Sequence, residues 1–202
     1  MTDRPQPQIR RLMPADAPLF REIRLEALQQ APEAFGSSFE QECSQSLAQF
    51  EEVLAKSDVF GAFRGTDLLG MAGYRTQVGA KRAHKGFLWG MYVRASARGS
   101  GIAKPLVEAV LAHARERVEL VQLSVVKENE TAQRLYRSSG FVAYGHEVHA
   151  LKQNGRYYDM LRTQVLQEMD KKSWQFLAVT SPTAGVSASL IVIRSLSVSS
   201  GR

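Results

Sequence analysis

Residues 90–106 read GMYVRASARGSGIAKPL, the pattern of an apolar strand, a loop of small residues and the first turn of a helix. A glycine-rich loop that opens a helix presents free backbone N–H groups and the positive end of the helix dipole to an anion. Gly99 and Gly101 carry no Cβ, so the backbone around them can approach a phosphate closely. The stretch therefore predicts a phosphate-binding loop between a strand and a helix.

Three kinds of phosphate loop are candidates for this stretch. The P-loop pattern G-x-x-x-x-G-K-[ST] is absent from the chain. The Rossmann fingerprint G-x-G-x-x-G fails because Lys104 stands at the third glycine, and no acidic residue ends the following strand. The third pattern, R-x-x-G-x-[G/A], is met by Arg98, Gly101 and Ala103. Taken alone, those six residues also fit an ordinary glycine-rich turn before a helix.

Apolar periodicity on both sides of the loop predicts a β-α-β unit. We expect a strand at residues 87–93, a helix at about 101–117 and a strand at 120–126, joined by a right-handed crossover. Upstream, the pattern predicts a strand at 9–12, a helix capped by Asp16, a second helix from Ser46, and a hairpin of strands 59–63 and 68–74.

Downstream, residues 129–141 read NETAQRLYRSSGF, a helix that Asn129 begins and Gly140 ends. They match N-x-x-A-x-x-L-Y-x-x-x-G-F. Together with the loop, this motif resembles the paired signatures of the GNAT superfamily of acyl-CoA-dependent N-acyltransferases. The resemblance extends from residue 9 to about residue 166, where a hairpin with Asn154-Gly155 at its turn closes the pattern.

The resemblance implies an α/β fold of a particular kind. We expect a mixed, mostly antiparallel sheet of seven strands, flanked by about four helices, in which strands 4 and 5 splay apart. It also implies acetyl-CoA as co-substrate, with the pantetheine arm paired to main-chain groups of Met91, Tyr92 and Val93. The pyrophosphate would bind the backbone amides of Arg98, Gly99, Ser100, Gly101, Ile102 and Ala103.

Two side chains next to these amides carry positive charge. The Arg98 guanidinium would add charge-assisted contacts to the pyrophosphate. Lys104 either does the same or is an exposed helix lysine. Asn129 also has two interpretations, since its side chain can hydrogen-bond the pantetheine or cap its own helix.

Direct attack of an amine on the thioester needs no enzyme nucleophile, so Cys43 is expected to be an ordinary thiol. Tyr136 matches the family's tyrosine that gives a proton to the leaving thiolate, and a phenol with a pKa near about 10 is protonated at neutral pH. A backbone N–H near Met91 would polarise the carbonyl.

No general base emerges: Glu40, Glu128 and His84 are candidates by reach, and a water chain is an equal alternative.

The sequence thus predicts an N-acetyltransferase that moves an acetyl group from acetyl-CoA to a primary amine of a small molecule, a peptide N-terminus or a lysine. Two alternatives remain open at this point: a non-catalytic CoA-binding regulatory module, and transfer of a longer acyl group. A homodimer is compatible with the family. The acceptor stays open.

Composition limits the other classes of function. The net charge of +6 includes +3 from a serine-rich segment at 169–202, which leaves +3 for a domain at 1–168. That is too little to predict nucleic-acid binding. A single cysteine and scattered histidines predict no metal site, and the lack of a long apolar run or an apolar leader predicts a cytoplasmic protein with no membrane partner. We expect the 169–202 segment to lie outside the domain.

Overall fold

The computed structural model describes residues 7–167, which form seven β-strands and five α-helices. The strands are β1 (Gln8–Arg11), β2 (Asp58–Arg64), β3 (Asp67–Thr76), β4 (Lys85–Val93), β5 (Leu120–Val126), β6 (Val142–Gln153) and β7 (Arg156–Leu166). The helices are α1 (Ala17–Gln30), α2 (Phe39–Cys43), α3 (Leu47–Lys56), α4 (Ala103–Ala114) and α5 (Glu130–Ser138).

All seven strands lie in one sheet, in the order β1-β2-β3-β4-β5-β7-β6. Every neighbouring pair is antiparallel except β4 and β5, which run parallel and are connected through α4. The mixed, mostly antiparallel seven-stranded sheet is therefore confirmed.

Helices cover both faces of the sheet, because each face presents apolar side chains that must be buried. Leu106 and Val110 of α4 pack with Leu123 of β5 in one cluster, where all three are fully buried. On the other face, Phe20 of α1 packs edge-on against Phe50 of α3, with ring centroids 5.9 Å apart. The β3 strand supplies residues to both clusters, as expected of a central strand.

The pairing between β4 and β5 ends early. Only three register pairs join them, the last of which is Phe87 with Gln122. Beyond that pair, β4 stays bonded to β3 as far as Val93, while β5 stays bonded to β7 as far as Val126. The two central strands therefore diverge toward their carboxyl ends, as the sequence motifs predicted.

A β-bulge lies where β4 leaves β5. Trp89 is paired with Gly73 and Tyr92 with Met71, so Gly90 and Met91 together oppose a single β3 residue. Gly90 has φ +63°, a conformation that other L-residues rarely adopt. A bulge bends its strand, so this one is positioned to widen the gap between β4 and β5.

Most predicted elements are present, and the helices differ from the prediction in four respects, one of which is that α4 ends at Ala114 rather than at about residue 117. Helix α4 begins at Ala103 rather than at residue 101, because Gly101 has φ +82° and cannot be helical. The Asp16 carboxylate does not cap α1; it accepts two hydrogen bonds from Arg10 and one from the Met13 amide of the preceding turn. The fifth helix is the short α2, which opens with a Ser38 capping box.

The predicted serine-rich segment at 169–202 lies outside the described residues. Within residues 7–167, no helix is both long enough and apolar enough to cross a membrane.

Candidate active site

Three cavities adjoin one another along the gap between β4 and β5. The loop cavity, about 540 Å³, is lined by residues that include Met91, Val93, Arg98, Gly101, Ala103 and Leu135. The central cavity, about 120 Å³, is lined by residues that include Trp89, Gly90, Met91, Ser124, Asn129 and Tyr136. The far cavity, about 390 Å³, is lined by residues that include Arg24, Arg75, Trp89, Glu147, Met160 and Arg162.

These cavities share walls. Ala34 and Phe35 line all three, Met91 lines the loop and central cavities, and Gly90 lines the central and far cavities. The shared residues indicate a continuous passage from the glycine loop, past the β4 bulge, to the opposite side of the sheet.

The glycine loop offers unpaired amides to the loop cavity. Gly99 and Gly101 have φ values of +75° and +82°, so the chain turns tightly before α4. Within residues 7–167, the amides of Gly99, Gly101 and Ile102 donate to no backbone or side-chain acceptor. The amides of Arg98 and Ser100, which the resemblance also assigned to the pyrophosphate, instead donate to the carbonyls of Ala95 over 3.3 Å and Ala97 over 3.4 Å. Free amides before the start of a helix suit an anion, so binding of the pyrophosphate by Gly99, Gly101 and Ile102 stays a prediction.

The polar side chains of this loop mostly bond to the protein itself. The Arg98 Nε donates to the Val93 carbonyl over 3.2 Å, and the Ser100 hydroxyl donates to the Ala97 carbonyl over 2.6 Å. Lys104 is exposed, with its ammonium 3.8 Å from the Glu108 carboxylate one turn along α4. Of the two interpretations of Lys104, the structure therefore favours the exposed helix lysine.

Nine of the residues predicted to bind the cofactor line the loop cavity together: Met91, Tyr92, Val93, Arg98, Gly99, Gly101, Ile102, Ala103 and Asn129. Ser100 and Lys104 are not among the lining residues, and Tyr136 lines the central cavity instead.

Tyr136 lies in α5 with 7% of its surface exposed and lines the central cavity, as Met91 does. Its ring packs edge-on against Phe141, with centroids 5.8 Å apart, which holds the ring in place. Burial raises the pKa of the Tyr136 hydroxyl well above its usual value, so the group stays protonated. No described residue is a hydrogen-bond partner of this hydroxyl, which leaves its proton available to a ligand in the cavity.

Asn129 is the N-cap of α5. Its Oδ1 accepts a hydrogen bond from the Ala132 amide over 3.0 Å, so the capping interpretation is correct. The same residue also lines the loop and central cavities. A contact between Asn129 and a cofactor stays a prediction.

None of the three candidate bases lines the passage. Glu40 and Glu128 are exposed, and His84 lies in the loop before β4. The carboxylate that does line the far cavity is Glu147, which pairs with the Arg162 guanidinium. Cys43 lies outside the passage, and its thiol donates to the Glu40 carbonyl over 3.6 Å, as expected of an ordinary thiol.

The residues of the far cavity are those that the sequence motifs missed. The cavity is assembled from α1, β3, β4, β5, β6 and β7, and it includes Arg24, Ser124, Glu147 and Arg162. One signal was present in the sequence: Arg24 follows Phe20 by one helical turn, so it falls on the apolar face of α1. Residues 7–167 contain no group of three potential metal ligands.

Comparison with known proteins agrees with this geometry. Residues 21–141 match the model of the Acetyltransferase (GNAT) family. The match covers more than half of the chain, and the protein belongs to the GNAT family of acetyltransferases.

A curated relative is the spermidine N(1)-acetyltransferase of Vibrio cholerae, which is 38% identical over 72 residues. The alignment covers 35% of this chain and 42% of that enzyme, so the chain spans less than half the length of this relative.

Solved structures resemble most of the described residues. The ribosomal-protein-alanine N-acetyltransferase of Brucella melitensis has 25% identity and a TM-score of 0.70, with 79% of this chain and 99% of that chain covered. The yncA protein of Salmonella typhimurium, solved with its cofactor acetyl-CoA, has 18% identity and a TM-score of 0.69, with 82% and 96% covered. The fold predicted from the two motifs is thereby confirmed.

The cap at Asn129 leads to a prediction about stability. Replacing Asn129 with alanine removes the acceptor for the Ala132 amide, and we expect the free energy of unfolding to fall by about 1 kcal/mol. Asn129→Ser retains a capping oxygen and should lose less than half as much. Urea unfolding of the two variants and the parent measures the difference, and equal loss in both variants would contradict a capping role.

Proposed function

We propose that this protein transfers an acetyl group from acetyl-CoA to a primary amine by direct attack within a ternary complex. The observation that carries the proposal is the continuous passage that joins the free amides of the glycine loop to the buried Tyr136 hydroxyl. Membership of the GNAT family supports acetyl transfer as the general class of reaction.

The donor fits the loop side of the passage. The unpaired amides of Gly99, Gly101 and Ile102 suit a pyrophosphate, and the Arg98 guanidinium lies at the same cavity. Between residues 88 and 93, β4 has no pairing with β5, so its main-chain groups on that side suit an extended polar arm. Acetyl-CoA supplies the activated acetyl group when bound.

The β4 bulge suits polarisation of the carbonyl. A two-against-one register leaves one strand residue without a ladder partner, and both Gly90 and Met91 line the central cavity. An amide aimed into a narrow cavity stabilises a developing oxyanion better than water does, because it needs no reorientation. We assign this role to the backbone N–H of Met91.

Tyr136 is assigned as the general acid. The amine nitrogen forms a bond to the carbonyl carbon, the carbon–sulfur bond breaks, and the sulfur takes the proton of the Tyr136 hydroxyl. The Tyr136 oxygen regains a proton from water once the thiol has left. A raised pKa keeps that proton on the oxygen until the thiolate develops beside it. The proton lost by the amine passes to water, since the only carboxylate lining the far cavity among residues 7–167, Glu147, is paired with Arg162.

The acceptor approaches from the far cavity, because the donor occupies the loop side. The names of two similar proteins specify amine acceptors, spermidine in one and an alanine of a ribosomal protein in the other. Both agree with an amine as the group that is acetylated here.

Removing the Tyr136 hydroxyl tests the general acid. We expect Tyr136→Phe to lower kcat by roughly 100-fold between about pH 7 and pH 9, because the proton donor is lost while the ring packing is kept. Thiol release from acetyl-CoA in the presence of an amine measures the rate. Tyr74→Phe is the matched control, since Tyr74 is an equally buried tyrosine that lines none of the three cavities. A Tyr136→Phe protein as fast as the parent would rule out the assignment.

A pair of glycine variants tests the phosphate loop. Gly101 and Gly79 both have positive φ, and a Cβ at either position would meet no atom of the described residues within 4 Å. Alanine at either site should therefore cost a similar amount of stability, about 1 kcal/mol. We expect Gly101→Ala to weaken binding of coenzyme A by about 10-fold as well, because its methyl group occupies space beside the free amides. Gly79→Ala, in a loop remote from the cavities, should bind as the parent does.

Isothermal titration with coenzyme A measures this difference. Equal affinity in both variants would place the cofactor phosphates elsewhere.

A further inference from the structure

Arg24 is a charged residue in a core position of α1. It lies between Phe20 and Ala27 on the buried face of the helix, and only 7% of its surface is exposed. Burying a guanidinium is costly unless its N–H groups find partners. The partners of Arg24 therefore indicate what the residue is for.

Nε and Nη2 of the Arg24 guanidinium both donate hydrogen bonds to Glu42. Arg24 Nε donates to Glu42 Oε2 over 2.9 Å, and Nη2 donates to Glu42 Oε1 over 2.6 Å. This two-pronged pair fixes the plane of the guanidinium, and the ring of Phe35 lies 5.2 Å from its central carbon. Nη1 has no acceptor among residues 7–167.

The free Nη1 group lies near the β4 bulge. A Cβ built on Gly90 would lie 3.9 Å from Nη1 of Arg24. Apart from Gly90 and its two chain neighbours, no other heavy atom of the described residues lies within 4 Å of that Cβ position. Gly90 belongs to the β4 bulge and lines both the central and far cavities. The two N–H groups of Nη1 thus lie beside the β4 bulge, where the proposed reaction would place the attacking amine.

The charge of the far cavity favours an anionic group there. Its walls carry three arginines, Arg24, Arg75 and Arg162, against one carboxylate, Glu147. Glu147 is paired with Arg162, whose other amino group donates to Ser124 over 2.7 Å. Both carboxylates at this cavity, Glu147 and the Glu42 behind Arg24, are committed to arginines, so the described residues leave no free carboxylate for a polyamine.

The remainder of the cavity is apolar. Phe87, Leu88, Trp89, Leu151 and Met160 contribute to its walls, within a volume of about 390 Å³. Apolar walls of this kind accommodate a hydrocarbon or aromatic side chain.

We infer that the acceptor is an α-amino acid with an apolar side chain, whose carboxylate is bound by Arg24 Nη1 while its amine attacks beside Gly90. Because Nη1 lies close to the bulge, a carboxylate and an amine carried by the same carbon suit this site. The inference rests on the proposed acetyl transfer and assigns its substrate class. Arg24 is accordingly a residue that determines which acceptor is used.

The direct test compares acids with their amides on the unmodified full-length protein. L-leucine, L-methionine and L-phenylalanine, the primary amide of each, and spermidine are supplied as acceptors with acetyl-CoA, and thiol release is followed. We expect the best free amino acid to exceed its own amide by about 10- to 100-fold in kcat/KM, and to exceed spermidine by more. The amine of an amino-acid amide is less basic than the amine of the free amino acid, so more of it is unprotonated and able to attack. This difference favours the amide, and a preference for the free acid therefore indicates recognition of the carboxylate.

Two variants of Arg24 link the preference to this side chain. Arg24→Gln should bring the acid-to-amide ratio close to one. Because it leaves Glu42 unpaired, it can also unfold the protein, so Arg24→Lys is the second variant. A lysine still neutralises Glu42, but a single ammonium cannot present a fixed second donor at Gly90, and the ratio should fall here too. Arg21→Gln is the control, since Arg21 lies one turn earlier in α1, donates to the Cys43 carbonyl and lines none of the cavities; its ratio should match the parent.

The outcomes separate this inference from the proposed function. Acetylation of spermidine or of the amides as fast as the acids overturns the inference while acetyl transfer stands. An acid-to-amide ratio of kcat/KM that is unchanged in both Arg24 variants also overturns the inference. Absence of thiol release with every acceptor, in a folded protein that binds coenzyme A, overturns the proposed function itself.

Discussion

The early end of pairing between β4 and β5 is the constraint on which the rest of the site depends. Backbone N–H and C=O groups rarely stay without partners, so two central strands that part after three register pairs leave an edge that must be satisfied otherwise. On one side of β4 the ladder to β3 continues, which keeps the strand in place, and a bulge at Gly90 lies where β4 leaves β5. The gap that results is continuous with the glycine loop at one end and with the arginine-lined cavity at the other. In the proposed function, this one irregularity of the sheet therefore provides both the donor side and the acceptor side.

The loop side of this site could be predicted from the sequence because its signals are local. A strand, a glycine turn and a helix follow one another within residues 85–114, so the spacing of Arg98, Gly101 and Ala103 already determines where the free amides lie. The positions of Asn129 and Tyr136 could be predicted for the same reason, since both residues belong to one short element next to β5. Both hairpins were predicted from local turn signals, whereas the seven-stranded sheet was implied by the resemblance of the two motifs to the GNAT superfamily. The start of α4 was misplaced by two residues, because a helix pattern does not reveal that Gly101 is left-handed.

The acceptor side could not be predicted, because it is assembled from segments far apart in the chain. Arg24 meets Glu42 only because α1 and α2 pack together, and Arg162 meets Ser124 only because β7 lies beside β5. Nothing in the local sequence around Glu147 distinguishes it from Glu40 or Glu128, which were the candidates chosen by reach. An arginine on the apolar face of α1 was the one local irregularity, and tertiary structure was needed to show that its free amino group faces the β4 bulge.

The most direct test of this account is a crystal structure of the protein with coenzyme A. We expect the diphosphate on the free amides of Gly99, Gly101 and Ile102, the pantetheine arm along β4 in the gap beside β5, and the sulfur next to the Tyr136 hydroxyl. Coenzyme A bound on another surface, or β4 and β5 paired along their full length with no arm between them, would contradict it.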